Sequence, residues 1–249
     1  MRNIGIIQAR MASTRLPGKV MEIINGKPMI KWQIERTQNS KIQKIVLATS
    51  NDPSDDLLAE YVASMGVDVF RGSAQNVFSR FVEILKIQQP DYFLRLTADC
   101  PIVMPEIIDS MIEKFEVGGL DYLSNTIPPT FPDGLDVEII SSPTFLQIDP
   151  NGLKFYELEH VTPSIYEHKE KYSIGNFRSI VDLSAYRWTV DYPADLDFVR
   201  NVYRFFSGKE STFSLKELIL ALETGSIENN QISNKYRNIA FTRMNLERE

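Results

Sequence analysis

The sequence predicts an α/β protein built on a mostly parallel sheet with helices on both faces. Three observations lead there. Short apolar runs at residues 4–8, 45–49, 67–70 and 92–96 alternate with segments of helical period, the order that feeds parallel strands through helical crossovers. The first run empties into a cation-rich loop, Gln8-Ala9-Arg10-Met11-Ala12-Ser13-Thr14-Arg15-Leu16-Pro17-Gly18-Lys19. Two further strand-like runs each end in an Asp and then a Pro, at Asp99-Cys100-Pro101 and Asp191-Tyr192-Pro193. In open α/β sheets ligands gather at the carboxyl ends of strands, where all three features would fall.

The elements follow in order. After the strand at 45–49, Leu57, Leu58, Tyr61, Val62 and Met65 share one helical face. Ser54, Asp55 and Asp56 suit the start of that helix and Gly66 its end. Val77, Phe78, Phe81, Val82 and Leu85 make a second apolar face, and Gly118-Gly119 ends a third helix. Beyond that pair the rhythm changes. Strand-like pieces at 121–124, 137–140, 174–177 and 187–190 are separated by longer polar stretches. The segment of roughly 120–185 therefore reads as an insertion covering the substrate end of one domain spanning 1–225. A helix over 194–206 would turn Leu196, Val199, Val202, Tyr203 and Phe206 inward, with Pro193 tolerated in its first turn. A short helix closes the domain at 214–223, and residues 226–249 form a polar tail.

Composition narrows the class. Of 249 residues, 43% are apolar and 24% charged, as in ordinary globular proteins. No leader-like segment opens the chain and no run has the length of a membrane helix, so a cytoplasmic protein without a membrane partner is expected. One cysteine and two histidines exclude an internal disulfide and any Cys- or His-rich metal cluster. Residues 1–50 carry nine Lys/Arg against two acids, a net of +7, on a chain whose total is −6. That asymmetry points to a local anion site and away from a nucleic-acid surface.

Within the loop, Arg10, Arg15 and Lys19 supply fixed cations, and small residues such as Ser13 let backbone N–H groups approach, which suits a polyphosphate. Asp99 at a strand end either holds a hard cation such as Mg²⁺ or caps the next helix. Asp191 repeats that grammar as a candidate second carboxylate. Asp195 and Asp197 lie in a first helical turn, where negative charge favours a structural role. Asp136 and Glu138 share one face of a strand and would receive sugar hydroxyls, hold a metal or form a solvated edge. Glu159 and His160 either contact substrate or belong to a hydrogen-bonded framework. Arg71 faces a nucleotide or pairs with an acid. Cys100 is a small buried side chain.

Several chemistries are absent. There is no GxGxxG, Gly18-Lys19 lacks the upstream Gly of a Walker A loop, and no GxSxG elbow occurs.

Six stretches, Gln8 to Lys19, Phe70 to Ser73, Arg95 to Pro101, Asp133 to Glu138, Glu159 to Pro163 and Arg187 to Leu196, resemble in order the motifs of the cytidylyltransferases that make CMP-sugar acids. The branch they look most like is the spore-coat polysaccharide type. The resemblance spans roughly residues 3–205. It implies a Rossmann-like nucleotidyltransferase fold whose smaller insertion covers substrate and serves a homodimer. It implies that CTP is held by Gln8, Ala9, Arg10, Ser13, Arg15, Lys19, Arg71 and Asp99, with Arg15 and Lys19 neutralising the β and γ phosphates. Mg²⁺ would sit on Asp99 and Asp191, which together with Arg15 and Lys19 form the catalytic set. The acceptor sugar, by resemblance a 2-keto-3-deoxy acid, would meet Asp136, Glu138, Glu159 and His160. Leu158, Met104 and Ser164 depart from the family pattern on the acceptor side. A glycosyltransferase that uses a nucleotide sugar on the same fold is the alternative.

Overall fold

Strand β1 (Asn3–Gln8) is an interior strand of a seven-stranded sheet in the computed structural model, which describes residues 1–229. A small hairpin follows, β2 (Ile23–Ile24) and β3 (Lys27–Pro28), turning at Asn25-Gly26, where both residues have positive φ. The remaining strands are β4 (Ile45–Ser50), β5 (Asp68–Gly72), β6 (Tyr92–Thr97), β7 (Tyr122–Ser124), β8 (Glu138–Ser141) and β9 (Ile174–Asn176). Their order in the sheet is β5-β4-β1-β6-β8-β7-β9. β5, β4, β1 and β6 pair in parallel, β8 runs antiparallel to β6 and β7, and β9 is parallel to β7. The segment read as an insertion thus extends the same sheet.

The strand alternation explains both faces. On β1, Ile4 and Ile6 pack to one side and Ile7 to the other; on β6, Phe93 opposes Tyr92, Leu94 and Leu96. One side is covered by α1 (Met29–Gln38), α2 (Asp56–Ser64), α4 (Pro105–Gly118), α8 (Pro193–Phe205) and α9 (Leu215–Glu223). The other is covered by α3 (Val77–Gln88), α5 (Ser142–Leu146) and α7 (Pro163–Tyr166), with α6 (Phe155–His160) leading into α7. Apolar residues at helical spacing bury these faces: Leu196, Val199, Val202 and Tyr203 on α8 are all at or below 3% exposure. Each such side chain contributes on the order of 1.5–3 kcal/mol.

Two expectations change. Leu57 is 58% exposed, whereas Leu58 and Val62 are fully buried; α2 lies on the sheet at its edge and turns a narrower stripe inward than the run of apolar residues suggested. Residues 187–190 do not join the sheet. They run extended, with Arg187 bridging Asp133, Trp188 N–H donating to the Asp133 carbonyl at 2.6 Å and Val190 N–H to the Asp99 carbonyl at 2.8 Å. Their backbone groups are satisfied by two loops, so no ladder forms. Gly134 makes this approach feasible. Its φ is +106°, and a Cβ there would stand 2.5 Å from the Thr189 nitrogen. The expected tail lies outside the described residues from 230 onward, although Ile227 still packs into the core.

The loop carrying Asp99 is fastened from behind. Buried Arg36 donates from Nε to the Val103 carbonyl at 2.6 Å, and Tyr203 Oη donates to the Pro101 carbonyl at 2.8 Å.

Candidate active site

The loop after β1 closes on itself. Gly18 N–H donates to the Met11 carbonyl at 2.9 Å, with Gly18 at φ +73°, and the chain then enters a single turn at Lys19–Met21. That turn buries the stem of Lys19 and aims its ammonium at the two Asp-Pro corners. Lys19 Nζ stands 3.0 Å from Asp191 Oδ1 and 3.5 Å from Asp99 Oδ2, and donates to the Val190 carbonyl at 2.6 Å. Arg15 joins the same carboxylate, Nη2 to Asp191 Oδ1 at 2.5 Å, with its guanidinium 5.5 Å from the centre of the Tyr192 ring. Cations near the amino end and two aspartates distant in sequence therefore meet at one point.

Asp191 is braced from its other side. Arg187, 3% exposed, reaches Asp191 Oδ2 at 3.0 Å, Asp133 at 2.7 Å and Asp195 at 3.3 Å. Asp195 in turn accepts the backbone N–H groups of Asp191 and Tyr192, both at 2.9 Å. Its role is to cap α8 and fix the Asp191 corner, as its place in the first turn suggested.

The electrostatics are mutual. Burial works against the Lys19 ammonium, but Asp99 and Asp191 more than reverse it, and its pKa is raised. Burial likewise pushes the Asp191 carboxyl up, yet Lys19 and Arg15 bring it down to about 2. Near neutral pH both groups are charged. The Cys100 thiol beside them is pushed well up by burial, with Asp99 adding to the effect, which leaves it an inert core side chain.

A cavity of about 540 Å³ opens next to this cluster, and Arg15, Asp99 and Asp191 line it. Asp136, Glu138 and His160 line it too. Arg95 pairs with Glu138 there, Tyr122 Oη donates to Glu138 at 2.5 Å, and Arg95 Nε donates to Gln8 Oε1 at 3.3 Å. Burial, with Arg95 adding to it, lowers the His160 pKa, so the imidazole is neutral at pH 7.

Other expected site residues fall differently. Ala9 is buried in the core. Arg10 reaches Glu159 at 3.6 Å, and Ser13 spends its N–H on the Met11 carbonyl at 2.8 Å. Arg71, of which the sequence left two readings, pairs with Asp56 at 2.6 Å and donates to the carbonyls of Ser50 and Asp52. Arg187 and Asp133 were not singled out from the sequence; an Arg four residues before Asp191, on a run that cannot complete a ladder, was the available signal.

Asp99 and Asp191 are two hard-oxygen groups converging on one cationic atom. Among the described residues no group of three or more His, Cys, Asp or Glu side chains forms a metal cage. Asp99 is the more open carboxylate, 29% exposed against 12% for Asp191. Such a pair fits a cation that completes its shell with phosphate oxygens and water.

A family model described as Cytidylyltransferase matches residues 4–221. The chain belongs to the cytidylyltransferase family. This cytidylyltransferase is 33% identical over 225 residues to the spore coat polysaccharide biosynthesis protein SpsF of Bacillus subtilis, across 87% of this chain and 92% of that one. A solved cytidylyltransferase from Leptospira borgpetersenii has a TM-score of 0.86 at 34% identity, covering 93% of this chain and 98% of that chain. A CMP:2-keto-3-deoxy-manno-octonic acid synthetase solved with CTP has a TM-score of 0.62 at 16% identity, covering 82% of this chain and 99% of that chain, a likeness of fold. The enzyme is a nucleotidyltransferase, as the ordered motifs implied. No helix among the described residues is long and apolar enough to cross a membrane.

Proposed function

We propose that this enzyme transfers CMP from CTP to a sugar, a 2-keto-3-deoxy sugar acid by family resemblance, and releases pyrophosphate. It would do so as a cytoplasmic homodimer serving cell-surface or spore-coat polysaccharide synthesis. The observation that carries the reading is the junction of Lys19, Arg15, Asp99 and Asp191 beside a cavity that Asp136, Glu138 and His160 also line.

The chemistry follows from charge. The acceptor hydroxyl attacks the α-phosphorus in line and the bond to the pyrophosphate oxygen breaks. The barrier is the approach of an oxygen nucleophile to a polyanion, so positioning and electrostatics dominate. Lys19 and Arg15 offset the charge that develops on the departing pyrophosphate. Asp99 and Asp191 would hold magnesium, which would supply Lewis-acid charge to the transfer. Asp136 and Glu138 receive acceptor hydroxyls. Neutral His160 accepts the hydrogen bond of the attacking hydroxyl, and its proton once the new bond forms. Arg187 keeps Asp191 pointed at the junction.

A thermal-shift series with the four nucleoside triphosphates and Mg²⁺ tests the nucleotide, since a ligand of the native state raises apparent stability. CTP is expected to give the largest rise, and pyrophosphate release from CTP is then expected with one member of a panel of sugar acids. A larger rise with another triphosphate overturns the choice of CTP. Sugar transfer from a nucleotide sugar, with no pyrophosphate from CTP, favours the glycosyltransferase reading.

A further inference from the structure

We infer that Asp55 is the positioning residue of the triphosphate loop: a buried carboxylate, outside the loop, that sets the loop's geometry through the single peptide N–H of Met11. The inference rests on the reading that residues 10–19 grip the β and γ phosphates.

Asp55 is 1% exposed and sits at the carboxyl end of β4, in the short turn Pro53–Asp55. One oxygen, Oδ1, accepts Met11 N–H at 2.6 Å. The other, Oδ2, accepts Ser50 N–H at 3.1 Å and the Ser50 hydroxyl. The Met11 carbonyl in turn accepts the N–H of Ser13 at 2.8 Å and of Gly18 at 2.9 Å. The loop thus leaves and re-enters at one residue, and that residue is tied to Asp55. Between Met11 and Pro17, this is the one backbone hydrogen bond to residues outside the 10–19 loop among the described residues. Holding Met11 holds the stem from which Lys19 follows directly.

A second observation points the same way. Arg80 is 2% exposed, has no ion pair among the described residues, and donates to the Ala48 carbonyl at 3.2 Å. Burial, with repulsion from Arg10, brings its pKa down to about 10, and Asp55 acts against both. Asp55 therefore supplies negative charge at the root of a loop crowded with cations. A buried carboxylate with every bond aimed at backbone or a neighbouring hydroxyl is costly unless those bonds are kept, and what they keep is the shape of an otherwise lightly tethered anion grip.

The test uses Asp55→Ala and the near-isosteric Asp55→Asn, with Ser50→Ala as a control that loses the hydroxyl contact and keeps the Met11 anchor. Affinities for CTP and for CMP with Mg²⁺ are measured by titration calorimetry, with amide hydrogen exchange of the 10–19 peptide in the ligand-free proteins. Asp55→Ala is expected to weaken CTP about 10- to 100-fold, the loss of one charge-assisted anchor. CMP, which lacks the gripped phosphates, is expected to change by less than about twofold, and exchange in 10–19 is expected to quicken. Asp55→Asn, which keeps one acceptor oxygen, is expected to fall between, and Ser50→Ala to match wild type for CTP. Equal losses for CTP and CMP, or unchanged exchange in 10–19, overturn the inference, even if melting temperature falls. Should Asp55→Ala not fold, Asp55→Asn alone decides by the same criteria. Wild-type protein that binds no CTP sinks the functional reading instead, while the exchange measurement still tests the anchor.

Discussion

The two halves of the sheet solve the charge problem in opposite ways. On the side of β5, β4, β1 and β6, the cations ride on a loop, with Arg10 and Arg15 at 48% and 35% side-chain exposure. Across β6, toward β8 and β7, charges are locked together: Arg187 and Asp195 at 3% and 1%, Arg95 and Glu138 at 12% and 10%. The first arrangement keeps Arg10 and Arg15 facing solvent although each already pairs with an acid, Glu159 and Asp191. The second buries its matched charges, so it serves as a rigid wall that holds Asp191 and Glu138 in place. Exposure separates the open guanidinium groups of Arg10 and Arg15 from the sealed Arg187–Asp195 pair.

The largest expected effect lies at the junction between the halves. Asp99→Asn and Lys19→Met should each reduce turnover by about 10²–10³-fold, the loss typical of removing one preorganised electrostatic contact. Asp99 is open enough for its variant to keep a wild-type circular dichroism spectrum. Near wild-type pyrophosphate release from either variant would remove that residue from the chemistry.

The next effect is on stability and distinguishes the two halves directly. Arg187→Met leaves Asp133, Asp191 and Asp195 without their shared cation, and removing one member of a buried ion cluster costs about 3–5 kcal/mol. Arg200→Met removes the half-exposed pairs to Glu22 and Asp197, worth about 0–1 kcal/mol. Urea denaturation checks both. A loss under about 1 kcal/mol at Arg187 would mean the buried knot is not a brace.

Legibility in the sequence divides along the same line. The parallel strands are apolar runs bounded by turns, and the region at their carboxyl ends was marked by loop chemistry and by two Asp-Pro corners. These signals are local. The hairpin of β2 and β3 was also marked, by Asn25-Gly26, but its two-residue strands carry no alternation to notice. The helices α5 and α7 are only five and four residues long, too short to show a helical period. The stretch 187–190 imitates a strand because Trp188 and Val190 alternate with polar residues, whereas its partners lie around Asp99 and Asp133, far away in the chain. Asp55 read as a helix start, and only its contact with Met11 reveals more. Groups that work by long-range bonds to backbone leave no pattern in the sequence.

Acid should separate the halves by pH. Asp191 has a native pKa of about 2 against an ordinary 3.8, because Lys19 and Arg15 outweigh its burial. A depressed carboxyl pKa contributes stability that is complete above the ordinary value and lost as pH falls through the native one. The junction should therefore lose about 2 kcal/mol between roughly pH 4 and pH 2, and Asp191→Asn should lack that slice of the pH dependence. At His160 the shift has the same sign at higher pH. Burial and then Arg95 hold His160 below its ordinary 6.5, so the unfolded chain takes up the proton first and stability starts to fall as pH drops below 6.5. His160→Gln should flatten the curve just below pH 6.5 and leave the lower limb unchanged. If the variant keeps the wild-type slope there, another group carries the upper limb, and the imidazole is not held neutral by its surroundings.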